Sequence, residues 1–283
     1  MDITNKPCVE GNLGKAQNIM LDILKAVDTI CRKNNLTYWL EGGTLLGAVR
    51  HKGFIPWDDD VDIAMPREDY EKFISIAKKE LPDNLFLQTN YTDLEYDMPW
   101  MKVRHNNSEI VEYKIGNYHN GLFIDIFPFD YYMDVEGYIN SKKRFKFIYR
   151  TLILVKEPFE KVTNKKILIK NTLKFFTKVI LFPFTFMSKR KIFNKIYALR
   201  DKYVGKYGAK DSEILGYGVD TVFWNFSIEK NSVFPLKELS FEDGSFYVPG
   251  NYDAYLTKLF GDYMKLPEEK DRIPHNLEII IKE

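Results

Sequence analysis

The sequence predicts an α+β protein: a mixed sheet with flanking helices, a basic helical insertion, and a mixed C-terminal part that completes the same domain. Three observations predict it. Strand-like and helix-like patterns alternate as far as Asp130. From Val135 to about Tyr207 the pattern turns helical and basic. From Gly216 onward short strands and turns return, with one helix over 252–260. The chain accordingly divides into a core at 1–134, a basic helical region at 135–207 and a C-terminal part at 208–283.

The elements follow in order. Residues 11–34 read as an amphipathic helix, with Ile19, Ile23, Leu24, Val27, Ile30 and Cys31 near a helical period. Thr37-Tyr38-Trp39-Leu40 reads as a short buried strand, punctuated by Gly42-Gly43. A short helix over 44–50 and a loop over 51–57 come next. Residues 61–65 are strand-like; Pro66 stops them, and a helix follows over 67–79 with Tyr70, Phe73, Ile74 and Ile76 inward. Further strands are expected at 85–88, 100–104 and 122–127. No internal repeat or low-complexity linker interrupts the chain.

Composition narrows the function classes. Two cysteines, Cys8 and Cys31, have no metal-binding spacing and point to a reducing, cytoplasmic setting. The N-terminus lacks the apolar run of a secretory signal. The most apolar later stretch, 179–187, is roughly half the length a membrane-crossing helix needs. The formal charge of +1 conceals an asymmetry: residues 161–200 carry eleven Lys and Arg and no Asp or Glu, which leaves the rest acidic. Cations interleaved with large apolar residues suit an anionic membrane surface, so a peripheral position at the inner face of the cell membrane is expected. An ordinary helical subdomain with solvated lysines has the same composition. No nucleic-acid-binding motif is present, and no nucleic-acid partner is expected.

The chemistry is concentrated in Tyr38–Pro66, YWLEGGTLLGAVRHKGFIPWDDDVDIAMP. Gly42, Gly43 and Thr44 lie where a strand gives way to a helix, a place where a phosphate can approach backbone N–H groups. Arg50, His51 and Lys52 concentrate donors suited to phosphate oxygens. Asp60 and Asp62 stand two apart on a strand and project to one face, where two carboxylates repel unless a cation such as Mg²⁺ or Mn²⁺ joins them. Asp125, in the apolar run GLFIDIF, needs a partner: a shared metal ion, or an Arg or Lys. Taken singly, the GGT triplet is a turn and the aspartate run, with Asp58 and Asp59, a solvated loop. An acid-x-acid pair also occurs in glycosyltransferases that bind nucleotide-sugars through a metal. The combination of strand, GGT, helix and acid-apolar-acid strand is far more specific.

This combination resembles the nucleotidyltransferase superfold, and more narrowly the LicD family of phosphocholine transferases, which includes fukutin-like proteins. The resemblance rests on Glu41–Tyr70 and on GLFIDIFPFD at Gly121–Asp130. FPLKELSFEDGSFYVPGNYDAYL at Phe234–Leu256, FGDYMKLP at Phe260–Pro267 and His275 extend it. Phe260 stands where the family pattern has Tyr. The resemblance implies transfer of phosphocholine from CDP-choline to a hydroxyl of a cell-surface glycan, lipid-linked or free, with release of CMP. It implies Asp60, Asp62 and Asp125 as catalytic metal ligands and Gly42, Gly43 and Thr44 as phosphate holders. Arg50 and Lys52 would grip non-bridging oxygens. Choline would need an aromatic cage, for which Tyr38, Trp39, Trp57, Trp100, Tyr217 and Trp224 are candidates; Trp57, beside the acids, is favoured. Two other readings are compatible with the residues: a nucleotidyltransferase that uses a nucleoside triphosphate, and a non-catalytic membrane- or glycan-binding protein on this scaffold.

Overall fold

Apolar residues at helical spacing wind α1 (Cys8–Lys33), which buries Ala16, Met20, Ile23, Leu24, Val27 and Cys31. Arg32 and Lys33 complement the dipole in its last turn. The computed structural model describes residues 8–111, 117–156, 159–207, 212–274 and 278–281; His275 lies outside them. After α1 come β1 (Trp39–Leu40), α2 (Gly42–Arg50), β2 (Asp62–Pro66), α3 (Arg67–Glu80), β3 (Leu85–Gln88), β4 (Met101–His105), β5 (Ser108–Val111) and β6 (Phe123–Tyr132). The helical region holds α4 (Val135–Leu154), α5 (Lys165–Ile180), α6 (Phe182–Thr185) and α7 (Lys189–Tyr207). The last part holds β7 (Ile214–Tyr217), β8 (Ser227–Glu229), α8 (Lys230–Val233), β9 (Lys237–Phe241), β10 (Gly244–Val248), α9 (Tyr252–Phe260), a short 3₁₀ turn (Glu269–Asp271) and β11 (Glu278–Ile281).

The main sheet runs β1-β2-β6-β4-β3, and β7 and β8 continue it from β6. Among the described residues, β2 and β6 pair in parallel and the other pairings in this sheet are antiparallel. The β6 strand is long enough to serve β4 along Phe123–Ile126, β2 along Asp125–Phe129 and β7 along Phe129–Tyr132. It therefore outruns the expected 122–127. Pro128 falls in the gap between the β4 and β7 pairings. Strand β5 was not expected, and it pairs with β11 from the far end of the chain. Helix α2 begins two residues earlier than the pattern suggests, so the glycine pair forms its first turn.

Helices α1 and α3 cover the sheet, and its core includes Trp39, Ile63, Phe73, Val103, Ile124 and Phe129. Helices α4 and α7 close a second, smaller core of Phe145, Tyr149, Ile192, Phe193 and Ile196 with Val219 and Val222. A buried ion network joins the two. Arg67, at the start of α3, reaches Asp130 at 2.7 Å and Asp220 at 2.6 Å. Arg200 of α7 reaches Asp220 at 3.5 Å and Glu71 at 2.9 Å. Lys142 of α4 donates to the carbonyls of Gly218, at 2.8 Å, and Thr221.

Candidate active site

Each of the first three residues of α2 is fixed by the acids that face it. Gly42 has a φ of +54°, where a β-carbon brings strain, and a β-carbon there would lie 3.2 Å from Asp62 Oδ2. At Gly43 it would fall 2.8 Å from Asp58 Oδ2. Two carboxylates thus lie against the first turn of the helix, where free N–H groups and the dipole favour negative charge. Thr44 is buried, and its Oγ1 accepts the N–H of Asp62 at 2.9 Å. The Glu41 N–H donates to the Asp62 carbonyl at 3.0 Å, which locks the turn to the start of β2.

Asp62 opens β2 and stands in register with Asp125 on the parallel neighbour β6, so the two side chains share a face. Asp60 lies two residues before the strand. Burial raises the Asp62 pKa well above the usual carboxylate range, and the charges of Asp60, Asp125 and Asp58 push the same way against Lys102. Burial raises Asp125 too. The Lys102 ammonium, 2.8 Å from its Oδ2, and the Trp100 indole N–H, 2.7 Å from its Oδ1, oppose that rise. Asp125 therefore has the basic partner that a buried acid needs, while it shares a face with Asp62.

Crowded carboxylates of this kind are the oxygen donors that a hard divalent cation takes, so the chemistry of the set fits Mg²⁺ or Mn²⁺. In the arrangement seen, no three His, Cys, Asp or Glu side chains among the described residues stand close enough to enclose an ion. Asp125 is turned to Lys102 and Trp100.

The remaining expected residues lie elsewhere around α2. The Arg50 guanidinium donates to the Tyr263 carbonyl at 2.7 Å. It lines a groove of about 450 Å³ with Trp57, Leu46 and the segment 260–268. Arg272 stacks 5.3 Å above the Trp57 ring, so one face of the favoured cage residue already meets a cation. Lys52 is exposed at a turn with φ +61°, and its carbonyl accepts the Glu242 N–H. Among the aromatic candidates, the Tyr38 hydroxyl donates to Asp28, and Trp39 and Tyr217 donate to Glu41. Trp100 packs edge-on to Trp224 at 4.8 Å and near Phe127 at 5.5 Å. Phe223 and Trp224 keep 44% and 40% of their surface open. A partly open aromatic cluster therefore adjoins Asp125.

Residues 35–165 match the domain family described as "LicD/FKTN/FKRP, nucleotidyltransferase domain". Over 272 residues the chain is 30% identical to the lipopolysaccharide cholinephosphotransferase LicD of Haemophilus influenzae, an alignment that spans 94% of this chain and 96% of that one. The chain belongs to the LicD family. It is also 31% identical over 123 residues to the human ribitol 5-phosphate transferase FKRP, which covers 44% of this chain and 21% of FKRP. An uncharacterized protein of Rickettsia prowazekii, RP689, is 36% identical over 136 residues, about half of each chain.

The LicD-family segment holds residues near the acids to which sequence reasoning gave no role. Glu41 is fully buried directly before the glycine turn. Its carboxylate accepts from Tyr217 of β7 at 3.1 Å, from Trp39 at 3.2 Å and from Tyr255 of α9. Burial raises its pKa to about 7 although all three donors favour the anion. Glu41 thus ties the C-terminal part to the root of α2. The other is Lys102, whose place opposite Asp125 appears only once β4 and β6 are in register. The second acid of GLFIDIFPFD, Asp130, is taken by Arg67. An apolar-strand acid that needs a partner was the available signal for Lys102; for Glu41 there was none beyond its place in the motif.

Proposed function

We propose that this chain transfers an alcohol phosphate, phosphocholine from CDP-choline foremost, to a hydroxyl of a cell-surface glycan and releases CMP. Its LicD-family relatives bear names for phosphoalcohol transfer, cholinephosphate in Haemophilus influenzae and ribitol 5-phosphate in human FKRP. The observation that favours choline is the aromatic cluster of Trp100, Phe127, Phe223 and Trp224 directly beside Asp125. A quaternary ammonium donates no hydrogen bond and is recognised through aromatic faces.

In this reading Asp60 and Asp62 would hold a divalent cation. When bound, Mg²⁺ or Mn²⁺ supplies charge neutralisation for the diphosphate and for the CMP oxygen as it departs. The first turn of α2, with Gly42, Gly43 and Thr44, would offer backbone N–H groups to a phosphate in the space that the Asp58 and Asp62 carboxylates take up in this structure. The acceptor oxygen attacks the phosphorus that carries the choline ester, and the phosphorus–oxygen bond to CMP breaks. Asp125 takes the hydroxyl proton; Trp100 and Lys102 each engage one of its oxygens and so fix its direction. Lys102, buried and paired with Asp125, would add its positive charge to the site that receives the phosphate.

The test is incubation of the purified chain with Mg²⁺, a glycan acceptor, and CDP-choline or CDP-ribitol in parallel. CMP release that depends on acceptor and on CDP-choline is expected. Release from CDP-ribitol alone would move the donor assignment, and pyrophosphate from a nucleoside triphosphate would replace the reaction class.

A further inference from the structure

Helix α5 is built inside out. A helix on a folded domain ordinarily turns its apolar stripe to the core and its charges to water. In α5 the buried side chain is Lys174, 1% exposed, whose ammonium lies 3.2 Å from Glu160. Leu168, Ile169, Leu173, Phe176, Val179 and Ile180 face outward, Ile180 with 78% of its surface open. Phe182 and Phe186 prolong the patch through α6, their rings 5.0 Å apart and Phe186 77% open. A contiguous apolar surface of this size marks an interaction site.

Charge says what kind. Lys165, Lys166 and Lys170 lie at the start of α5, and Lys143, Lys146 and Arg150 lie on the neighbouring α4. Among the described residues, acids that meet the segment's cations include Glu160 with Lys170 and Lys174, Glu95 with Lys189, and Asp201, Glu71 and Asp220 with Arg200. No acid lies within 161–200 itself. The partner must therefore be both apolar and anionic over an area the length of a helix. A second copy of this chain would set the same cations against one another, which is unfavourable. An apolar groove of about 880 Å³ between α4 and α5, walled by Phe147, Leu154, Leu173 and Ile180, is continuous with the face and carries Lys143, Lys146, Arg150 and Lys170 against one acid, Asp97. No helix among the described residues is long and apolar enough to cross a membrane.

We infer that the outward face of α5 and α6 rests on an anionic phospholipid bilayer, with its Ile, Leu and Phe side chains in the interface and the flanking lysines at the headgroups. This goes beyond the proposed chemistry and does not depend on it, because binding is read without turnover. The experiment is flotation of the full chain with vesicles of phosphatidylcholine, alone or mixed with phosphatidylglycerol, at low and high salt. Sedimentation velocity without lipid runs alongside. Flotation with the mixed vesicles at low salt is expected, with roughly tenfold less on pure phosphatidylcholine or at high salt. The variant Ile169→Ser/Phe176→Ser/Ile180→Ser should lose flotation while it keeps its circular dichroism spectrum and melting temperature. Lys165→Glu/Lys166→Glu should weaken it in the same direction. Absence of flotation at low salt, or flotation of the triple variant equal to that of the parent, overturns the inference. So does a lipid-free dimer that the triple variant dissociates, since a second copy would then cover the face.

Discussion

Helices α1 and α5 both carry rows of large apolar side chains and dispose of them in opposite ways. In α1, Met20, Leu21, Ile23, Leu24, Val27 and Ile30 are buried under the sheet. In α5 the equivalent residues point out and a lysine points in. Polar groups follow the same division. The sheet half buries Glu41, Arg67, Asp125, Asp130 and Asp220, each with hydrogen-bonded partners, so its stability and its chemistry are made internally. The α5 half carries its apolar surface outward, and its contribution depends on what it meets.

The comparison breaks most sharply at the acids. Asp62→Asn should lower kcat on the order of 10³-fold or more, because the charge is lost where a cation and a phosphate are to be held. The melting temperature should hold or rise, since Asp60, Asp125 and Asp58 all repel the Asp62 carboxylate. Parallel turnover assays and thermal melts check both halves. Near-normal turnover would remove Asp62 from the chemistry.

Next in size is the joint between the regions. Arg67→Ala strands Asp130 and Asp220 in the interior, and loss of one partner from a buried ion network costs about 3–5 kcal/mol. Urea unfolding should show that loss. A change under about 1 kcal/mol would mean the network is open to water and that the sheet and the α4–α7 core are less firmly joined.

Glu41 gives a pH-dependent version of the same contrast. Its folded pKa of about 7 stands above the ordinary carboxylate value, so the folded state holds the proton more tightly. Its contribution is therefore most favourable below about pH 4.5, declines as pH rises toward 7 and is flat above. The loss across that window is about 3 kcal/mol. Asp62 and Asp125, raised as well, add a decline of the same sign. Glu41→Gln should flatten part of the slope of stability between pH 5 and 7. Identical slopes in parent and variant would show that Glu41 stays ionised throughout.

Much of the catalytic half was legible in the sequence because its signals are local. Alternation and helical spacing place β2, α3 and β3 within a residue or two. The acid-apolar-acid spacing singled out Asp60 and Asp62, but the strand alternation from which a shared face was expected begins only at Asp62, two residues after Asp60. What was not legible depends on register between distant segments: Lys102 opposite Asp125, Tyr217 and Tyr255 on Glu41, and β5 with β11. The full length of β6 was missed for the same reason: the expected strand ended at 127, and only the gap between the β4 and β7 pairings leaves space for the missing N–H of Pro128. In the helical region composition gave the basic, apolar character of 161–200, but not the side it would face. A pattern of Leu, Phe and Lys at helical spacing is the same whether the apolar stripe turns in or out.

The smallest expected effect is the sharpest test of that last point. Phe129 and Phe176 are the same residue type in the two halves. Phe129 is buried against Trp39 at 5.1 Å and Tyr217 at 4.7 Å. Its truncation to Ala removes buried area and leaves a cavity, at a cost of about 3–5 kcal/mol. Phe176 is exposed and its ring neighbour is Phe175, itself exposed, at 5.7 Å. Truncation there removes surface that is already in water, so Phe176→Ala should change stability by no more than about 0.5 kcal/mol. Urea unfolding of both variants beside the parent decides the matter. A cost above about 2 kcal/mol at Phe176 would mean that the ring is covered in the free protein. Helix α5 would then bury its apolar face as α1 does, and the division between an inward and an outward half would fail.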